Sequence, residues 1–412
     1  MSHLPVRGSA ADDAGAPATD AVELLEELPA LRRKNRKQRL VLVGAGQIHL
    51  RLLDWWRERP IRGVELTLLT AESEAVIGSR LPLALAGSVP DSQVRIDLSR
   101  AVNRSGATLL VDKVIGLDAE TRTLQLALHD DLPFDVASFN LGSANRRDDL
   151  CRQHRLFVPI RPRASFLSRF FHRWRELESQ WQLSAETERL NLVIVGGGPT
   201  GVELALALNE RVWRERWPAQ VELLEARPEL LGGWSPRTAR LITRLFQQRR
   251  IRWRGNALVT DCDDVGPARL MLENGEQVPA DLVIWAAGGA PPAVIKNLPL
   301  PTTPRGWLAV RRTLQTTSDL PVFAVGRTTE TAGGARIRAP AEAQAAVLWE
   351  NLRQTFRGGK LSEFQPRPSA IRYLTCGDGS AVAEYHGWAL RHPWLERRRL
   401  ACDGDWLNRL RK

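Results

Sequence analysis

Two short apolar runs, each ending in glycines and each leading into a helical pattern, constrain this 412-residue chain more than any other feature. The first is Leu40-Val41-Leu42-Val43, followed by Gly44-Ala45-Gly46. The second is Leu192-Val193-Ile194-Val195, followed by Gly196-Gly197-Gly198-Pro199-Thr200-Gly201. Aliphatic, β-branched runs of this length bounded by glycine read as buried parallel strands. Behind them, Leu50, Leu52, Leu53 and Trp56 in one case, and Val202, Leu204, Ala205 and Leu208 in the other, recur at helical spacing. Such a strand–turn–helix unit lets a pyrophosphate approach bare backbone and rest on a helix N-terminus, where N–H groups lack partners. The second copy is a complete G-x-G-x-x-G. The first has His49 where the third glycine would stand, and by itself it also reads as a tight turn with no ligand.

The rest of the chain arranges itself around these units. Residues 1–19 are rich in Ala, Asp, Gly, Pro and Ser, and the composition predicts a disordered leader. Val22, Leu24, Leu25, Leu28 and Leu31 suit a short amphipathic helix before a basic linker, Arg32 to Arg39. Residues 63–69 read as the second strand of the first unit, with further strands at 108–115 and 122–128. A helix over about 163–181 leads to the second unit, whose second strand is Val221 to Glu225. A helix over 236–249 follows, then strands near 251–260 and 268–273, with Asn274-Gly275 as a hairpin turn. Residues 281–289 close the unit. Residues 307–310, 322–326 and a helix over 340–355 read as a return to the first unit. A hairpin over 371–385 and a Trp- and Arg-rich tail end the sequence.

Composition excludes several classes. No apolar run approaches a bilayer span, and the N-terminus lacks the apolar segment of a secretory signal. Cys151, Cys262, Cys376 and Cys402 are far apart, with no C-x-x-C pair, so neither a dithiol redox centre nor a zinc site is expected, and no metal is assigned. A cytoplasmic protein with reduced thiols is the expectation. The net charge is +11, yet only six of the 58 basic residues are lysine, a skew that coding bias explains as readily as selection. The basic linker has no interleaved aromatics, so nucleic acid is not expected as a partner.

The order of these motifs resembles that of the two-dinucleotide-binding-domain flavoproteins, which include type II NADH dehydrogenases and pyridine nucleotide-disulfide reductases. Within them the chain is most similar to the oxidoreductases associated with selenide, water dikinase. Val43 to His49 resembles their V-G-G-G-H-A-H, and Phe134 to Ser143 their Y-D-V-x-S-x-D-I-G-S. Gly196 to Ala205 matches the superfamily's G-G-G-P-T-G-V-E-L-A. Asp281 to Gly288 resembles the junction segment D-x-V-x-W-A-T-G, and Leu314 to Thr317 the segment before the last flavin contact. Tyr373-Leu374-Thr375 with Gly377-Asp378-Gly379 resembles the C-terminal hairpin. The similarity runs over about residues 39–412. It departs from the pattern at Arg327, which replaces an Asp after Gly326, at residues 77–83, which lack a Tyr, and at Thr70, which ends a strand where an acid is usual, with Glu72 the nearest substitute.

The resemblance implies an α/β fold of two Rossmann-like domains, one binding FAD and the other NAD(P), the second inserted in the first, with a small C-terminal β-hairpin plus helix extension. The expected boundaries are 1–38 for the leader, 39–160 with 300–358 for the FAD domain, 161–299 for the NAD(P) domain and 359–412 for the extension. It implies an FAD-dependent oxidoreductase that passes electrons from NAD(P)H through flavin to a small acceptor, a quinone or another oxidant. Gly44 and Gly46 would admit the FAD pyrophosphate, and Gly196, Gly198 and Gly201 that of the nicotinamide nucleotide. Glu225 would hold the NAD ribose and disfavour a 2′-phosphate, although Arg227 nearby suits one. Glu203 is the candidate catalytic residue, as a proton relay or nicotinamide positioner, with first-turn helix stabilisation as the bland alternative.

His49, Arg80, Gly142, Gly288, Gly326 and Arg327 complete the cofactor-binding set. His49 either packs beside the isoalloxazine or fills the turn. Arg327 either donates to the FAD pyrophosphate or closes the pocket. Two other functions stay open on the residues alone: a non-catalytic nucleotide sensor or scaffold, and a basic interaction protein. In the latter, Trp388, Trp394 and Trp406 with Arg397 to Arg399 meet a membrane face or a subunit.

Overall fold

The computed structural model describes residues 36–183, 189–265, 267–337, 340–365 and 371–411. The expected leader and its amphipathic helix lie outside these residues, as does the first half of the basic linker. Residues Arg39–Lys412 form a single contact unit.

The first apolar run becomes β1 (Gln38–Val43), whose last four residues are buried, and the turn after it starts α1 (Gln47–Glu58). The chain continues through β2 (Val64–Thr70), β3 (Thr108–Val111) and β4 (Val136–Phe139). It then crosses to β5 (Phe157–Pro159) and α2 (Phe166–Leu183), whose Phe166, Phe170, Trp174 and Leu177 are buried at helical spacing. The second apolar run is β6 (Leu190–Val195), followed by α3 (Pro199–Arg214), β7 (Ala219–Leu224), α4 (Pro236–Gln248), β8 (Arg252–Arg254) and β9 (Leu282–Trp285).

After these come β10 (Val322–Ala324) and α5 (Ala341–Arg357). One five-stranded sheet has the order β10-β4-β1-β2-β3, the other β5-β9-β6-β7-β8. The pairs β1–β4, β2–β3 and β4–β10 are parallel, and so is every pair of the second sheet. Parallel sheets are covered on both faces, which is why β1, β6 and β9 read as unbroken apolar runs without alternation. In each sheet the glycine turn follows a central strand, so both turns open at the carboxyl edge where such sheets take ligands.

Three elements differ from the expectation. The strand expected at 251–260 is interrupted at Gly255-Asn256, where Asn256 has φ +52, and resumes as Val259–Asp263. The strand at 108–115 breaks at Asp112, whose carboxylate accepts N–H bonds from Lys113, Leu128 and His129. The C-terminal hairpin is a three-stranded antiparallel sheet, β11 (Arg372–Thr375), β12 (Ala381–Tyr385) and β13 (Trp388–His392). Strand β13 alternates exposed and half-buried residues, so its tryptophan and arginine masked it as tail.

The final helix, α6 (Pro393–Arg411), is docked on the first sheet's helices. Trp406, Leu407 and Leu410 enter the apolar cluster that contains Leu50, Leu53 and Trp56 of α1. Arg51 stacks 4.7 Å over the Trp406 ring, and Arg409 clamps the buried Asp54 carboxylate. Of the tail residues considered for a surface contact, Trp406 and Arg399 are therefore internal, while Trp388 and Trp394 are exposed.

Candidate functional site

Both glycine turns leave a helix N-terminus open. Gly46 caps α1 and Gly198 caps α3, neither with a side-chain hydrogen bond, so the first N–H groups of both helices are free to meet an anion. Gly44 has φ +91 and Gly196 φ +113, values that a side chain disfavours. Gly201 is needed for a different reason: a Cβ there would fall 1.7 Å from the Gly196 carbonyl oxygen, so only glycine lets α3 pack on its strand.

On the second turn, Glu225 follows β7 and reaches back over the glycines. One carboxylate oxygen accepts the Gly197 N–H, and the other accepts the Arg227 N–H at 3.0 Å. The exposed Arg227 side chain lies against Gly232 at the rim. A carboxylate fixed at this point is suited to a ribose diol and repels a phosphate.

On the first turn, His49 is fully buried. Its Nδ1–H donates to the Gly44 carbonyl at 2.7 Å, and Nε2 accepts from Ser138 Oγ at 2.9 Å. Burial lowers its pKa to about 4, so the ring is neutral with the proton on Nδ1. Of the two roles expected for His49, these partners are those of a residue filling the turn.

A pocket of about 290 Å3 opens at the ends of β1 and β2, lined by Gly44, Thr70, Asp112, Lys113 and Val114. This is where the adenosine end of a dinucleotide on the first turn would lie. Beside it Asn140, only 6% exposed, inserts its side chain between Gly46 and Gly326, with its Nδ2 buried and without a partner among the described residues. A buried orphan donor against two glycine backbones suits a phosphate or a ribityl hydroxyl. The open N-terminus, the pocket and the orphan donor fit an FAD. The ribityl acceptor is replaced by Arg327.

The other expected residues are placed as follows. Gly326 donates its N–H to Gln344 Oε1 at 3.0 Å, and Gly142 to Thr328 Oγ1 at 3.0 Å. Gly288 backs onto Arg146 at the junction of the sheets. Arg80 lies in the field of Asp403 and Arg399 on α6.

Glu203 is the fifth residue of α3, beyond the first turn in which the sequence places it, and it faces the junction. Its Oε1 accepts the Thr375 N–H at 3.0 Å. Burial raises its pKa to about 7, against the opposing pull of Arg399 and that hydrogen bond, with Glu396 adding to the rise. It is thus a carboxylic acid half-protonated near neutrality, as proton-transfer groups are.

Sequence reasoning missed what surrounds it. Thr375 Oγ1 donates to Glu396 at 3.1 Å, Arg399 chelates Glu396 through two nitrogens, and the same guanidinium donates to the Ser79 carbonyl at 2.7 Å. Asp403 accepts from Ser79 Oγ and from Gln47, the first residue of α1. Helix α6 therefore binds both glycine-turn helices through one buried polar chain. Its i, i+3, i+7 acidic and basic spacing at 396, 399 and 403 was the available signal.

Among the described residues no group of three or more His, Cys, Asp or Glu is arranged to hold a metal, and no helix is long and apolar enough to cross a membrane. The four cysteines are free, and burial pushes Cys151 up to about 12 and Cys376 up to about 11, as for packed thiols.

Residues 153–348 match the pyridine nucleotide-disulphide oxidoreductase family. The chain is 30% identical over 146 residues to the internal alternative NAD(P)H-ubiquinone oxidoreductase A1 of Arabidopsis thaliana, covering 33% of this chain and 28% of that one. It is 27% identical over 197 residues to demethylphylloquinone reductase NdbB of Synechocystis, covering 43% and 48%. These matches span less than half the length of either relative. The structure of NDH2 from Plasmodium falciparum in complex with NADH superposes with a TM-score of 0.77 at 13% identity, covering 91% of this chain and 96% of that one. The fold is accordingly the α/β, Rossmann-like fold of these oxidoreductases.

Proposed function

We propose that this protein is an FAD-dependent oxidoreductase that passes electrons from NAD(P)H to a small-molecule acceptor. The observation that carries the reading is the pair of open helix N-termini on glycine turns, joined through α6 at a junction where Glu203 is held. Its similarity to an NAD(P)H-ubiquinone oxidoreductase and a demethylphylloquinone reductase supports a quinone or a similar oxidant as acceptor. Association with the selenide, water dikinase subgroup is part of the proposal, resting on the motif resemblance alone. The boundaries expected from the sequence are retained: an FAD domain of 39–160 and 300–358, and an NAD(P) domain of 161–299.

A bound flavin supplies a carrier that takes a hydride from a nicotinamide and releases electrons to an acceptor. The chain's residues bind and orient. Gly196, Gly198 and Gly201 admit the nicotinamide nucleotide's pyrophosphate, and Glu225 takes its ribose, favouring NADH. Gly44, Gly46 and the Asn140 amide hold the flavin nucleotide's phosphates and ribityl chain, and Gly142, Gly288 and Gly326 keep backbone close to it. His49 holds the first turn in shape from beneath. Glu203, protonated below about pH 7, keeps a proton at the junction and donates it there.

Arg327 favours a second reading, a nucleotide-binding sensor or scaffold, because a guanidinium cannot accept the ribityl hydrogen bond. The two are separated by the flavin content of the purified protein and its NADH-dependent dye reduction. A yellow protein that reduces dye supports the enzyme; a colourless one that still binds NAD supports the sensor. A cytoplasmic protein touching a membrane face through the exposed Trp388, Leu390 and Trp394 completes the proposal.

A further inference from the structure

Helix α6 carries a buried acid and a buried base whose hydrogen bonds lead to the junction. Glu396 and Arg399 are 3% and 7% exposed. Arg399 donates to both oxygens of Glu396, from Nε at 2.9 Å and from Nη2 at 2.6 Å, and its Nη1 donates to the Ser79 carbonyl. Glu396 Oε1 also accepts from Thr375 Oγ1 at 3.1 Å, and the N–H of the same buried threonine donates to Glu203 Oε1 at 3.0 Å. Thr375 therefore meets the α6 pair with its side chain and Glu203 with its backbone. It ends β11, where pairing to Ala381 fixes it on one side and the bond to Glu396 ties it to α6 on the other.

Burying an ion pair adds little stability, because desolvation offsets the attraction. Here each nitrogen of the Arg399 guanidinium and each oxygen of Glu396 is engaged, so neither side chain can turn without leaving a buried polar atom unpaired. Such a pair fixes geometry. We propose that Glu396 and Arg399 are positioning residues for Glu203, holding Thr375 so that its N–H meets the Glu203 carboxyl. This rests on the oxidoreductase reading, in which Glu203 keeps a proton at the junction, and it adds the residues that hold Glu203 ready. The two members of the pair also act on Glu203 in opposite senses: the Arg399 cation favours its ionised form and the Glu396 carboxylate disfavours it. Arg163, ahead of α2, favours ionisation as well, and Arg327, beyond β10, lies in the field of Glu203. Those two cations are the same in every α6 variant and form a constant background.

The test follows the protonation of Glu203 in the full chain by the infrared carbonyl band of its acid form, assigned as the band that Glu203→Gln removes. Arg399→Gln is expected to raise the midpoint of that band from about 7 by about one pH unit, and Glu396→Gln to lower it. Arg399→Lys, which keeps the charge, should stay closer to the original, and the double change of both residues to Gln should fall between the single ones. Thr375→Val matches the original in shape, leaves the α6 pair in place and cuts its link to Glu203. It should raise the midpoint, because the N–H that favours the carboxylate is no longer held, while Thr375→Ser should not. Thr375→Val thus decides the matter even where a change at the buried Arg399 prevents folding. Midpoints that move the same way in Arg399→Gln and Glu396→Gln, or that stay unmoved in Thr375→Val, overturn the positioning role and leave the oxidoreductase reading standing. In the FAD-loaded chain the pH step of NADH oxidation should move with the band in each variant. A band that moves as expected, with NADH oxidised at a rate that shows no such step, supports the positioning and overturns the proton role of Glu203 in the oxidoreductase reading instead.

Discussion

Replacing Glu203 by Gln should make the protein more stable at alkaline pH and leave it unchanged in acid. The folded carboxyl titrates near 7 against 4.5 for the unconstrained group. Between those values the folded state holds a proton that the unfolded chain has released, so stability falls as pH rises from about 4.5 and levels off above about 7. At about 1.4 kcal/mol for each pH unit of that displacement, the ionised carboxylate costs about 3 kcal/mol at pH 8. Gln has the shape of the protonated acid and can still accept the Thr375 N–H, so it escapes this cost. Urea midpoints of both proteins at pH 5 and pH 8 measure the difference. The Gln variant should exceed the original by just under about 1 kcal/mol at pH 5 and by about 3 kcal/mol at pH 8. NADH oxidation by the Gln variant should be slower at every pH, because Gln has no proton to donate, and should show no step near pH 7. Parallel stability curves for the two proteins would refute the assignment of a half-buried, pKa-raised acid at this position.

Glu225→Ala should weaken NADH and relax its preference over NADPH; equal affinity of the original protein for both nucleotides, by equilibrium titration, would contradict the ribose role. The original chain should take up FAD and Arg327→Asp should bind it less tightly, because Arg327 stands one residue beyond the Gly326–Asn140–Gly46 contact that borders the phosphate turn. Uptake of FAD only after the Asp change would mean that Arg327 closes the pocket. Trp406→Ala should cost about 3–5 kcal/mol by urea denaturation, as for other buried aromatics, and a near-neutral result would mean that α6 is not docked in solution. Liposomes of anionic lipid should retain the protein through Trp388 and Trp394 and release it as salt rises, and equal partitioning after Trp388→Ala with Trp394→Ala would end the membrane contact.

The parts of the fold that were legible in the sequence share one property: their determinants are adjacent in the chain. The strand–glycine–helix units needed only a β-branched run and the residues directly after it. Asn274-Gly275 sits in a tight antiparallel turn, with Gly275 at φ +84, because that dipeptide tolerates the left-handed backbone. The helix expected over 236–249 is Pro236–Gln248, with Ser235 accepting the Thr238 N–H as its cap. What was not legible depends on distant partners. Strand β13 is fixed by pairing to β12, which its own composition does not announce. The link between Thr375, Glu396 and Glu203 requires α6 to fold back over both turns, and nothing local to residues 393–411 encodes that destination.

The most direct test of the central claim is anaerobic addition of NADH to the purified protein while the visible flavin absorbance is followed. The account predicts a yellow protein with about one FAD per chain, bleached by one equivalent of NADH and recoloured by a quinone. A protein that lacks flavin, takes up none from solution and still binds NADH would contradict it.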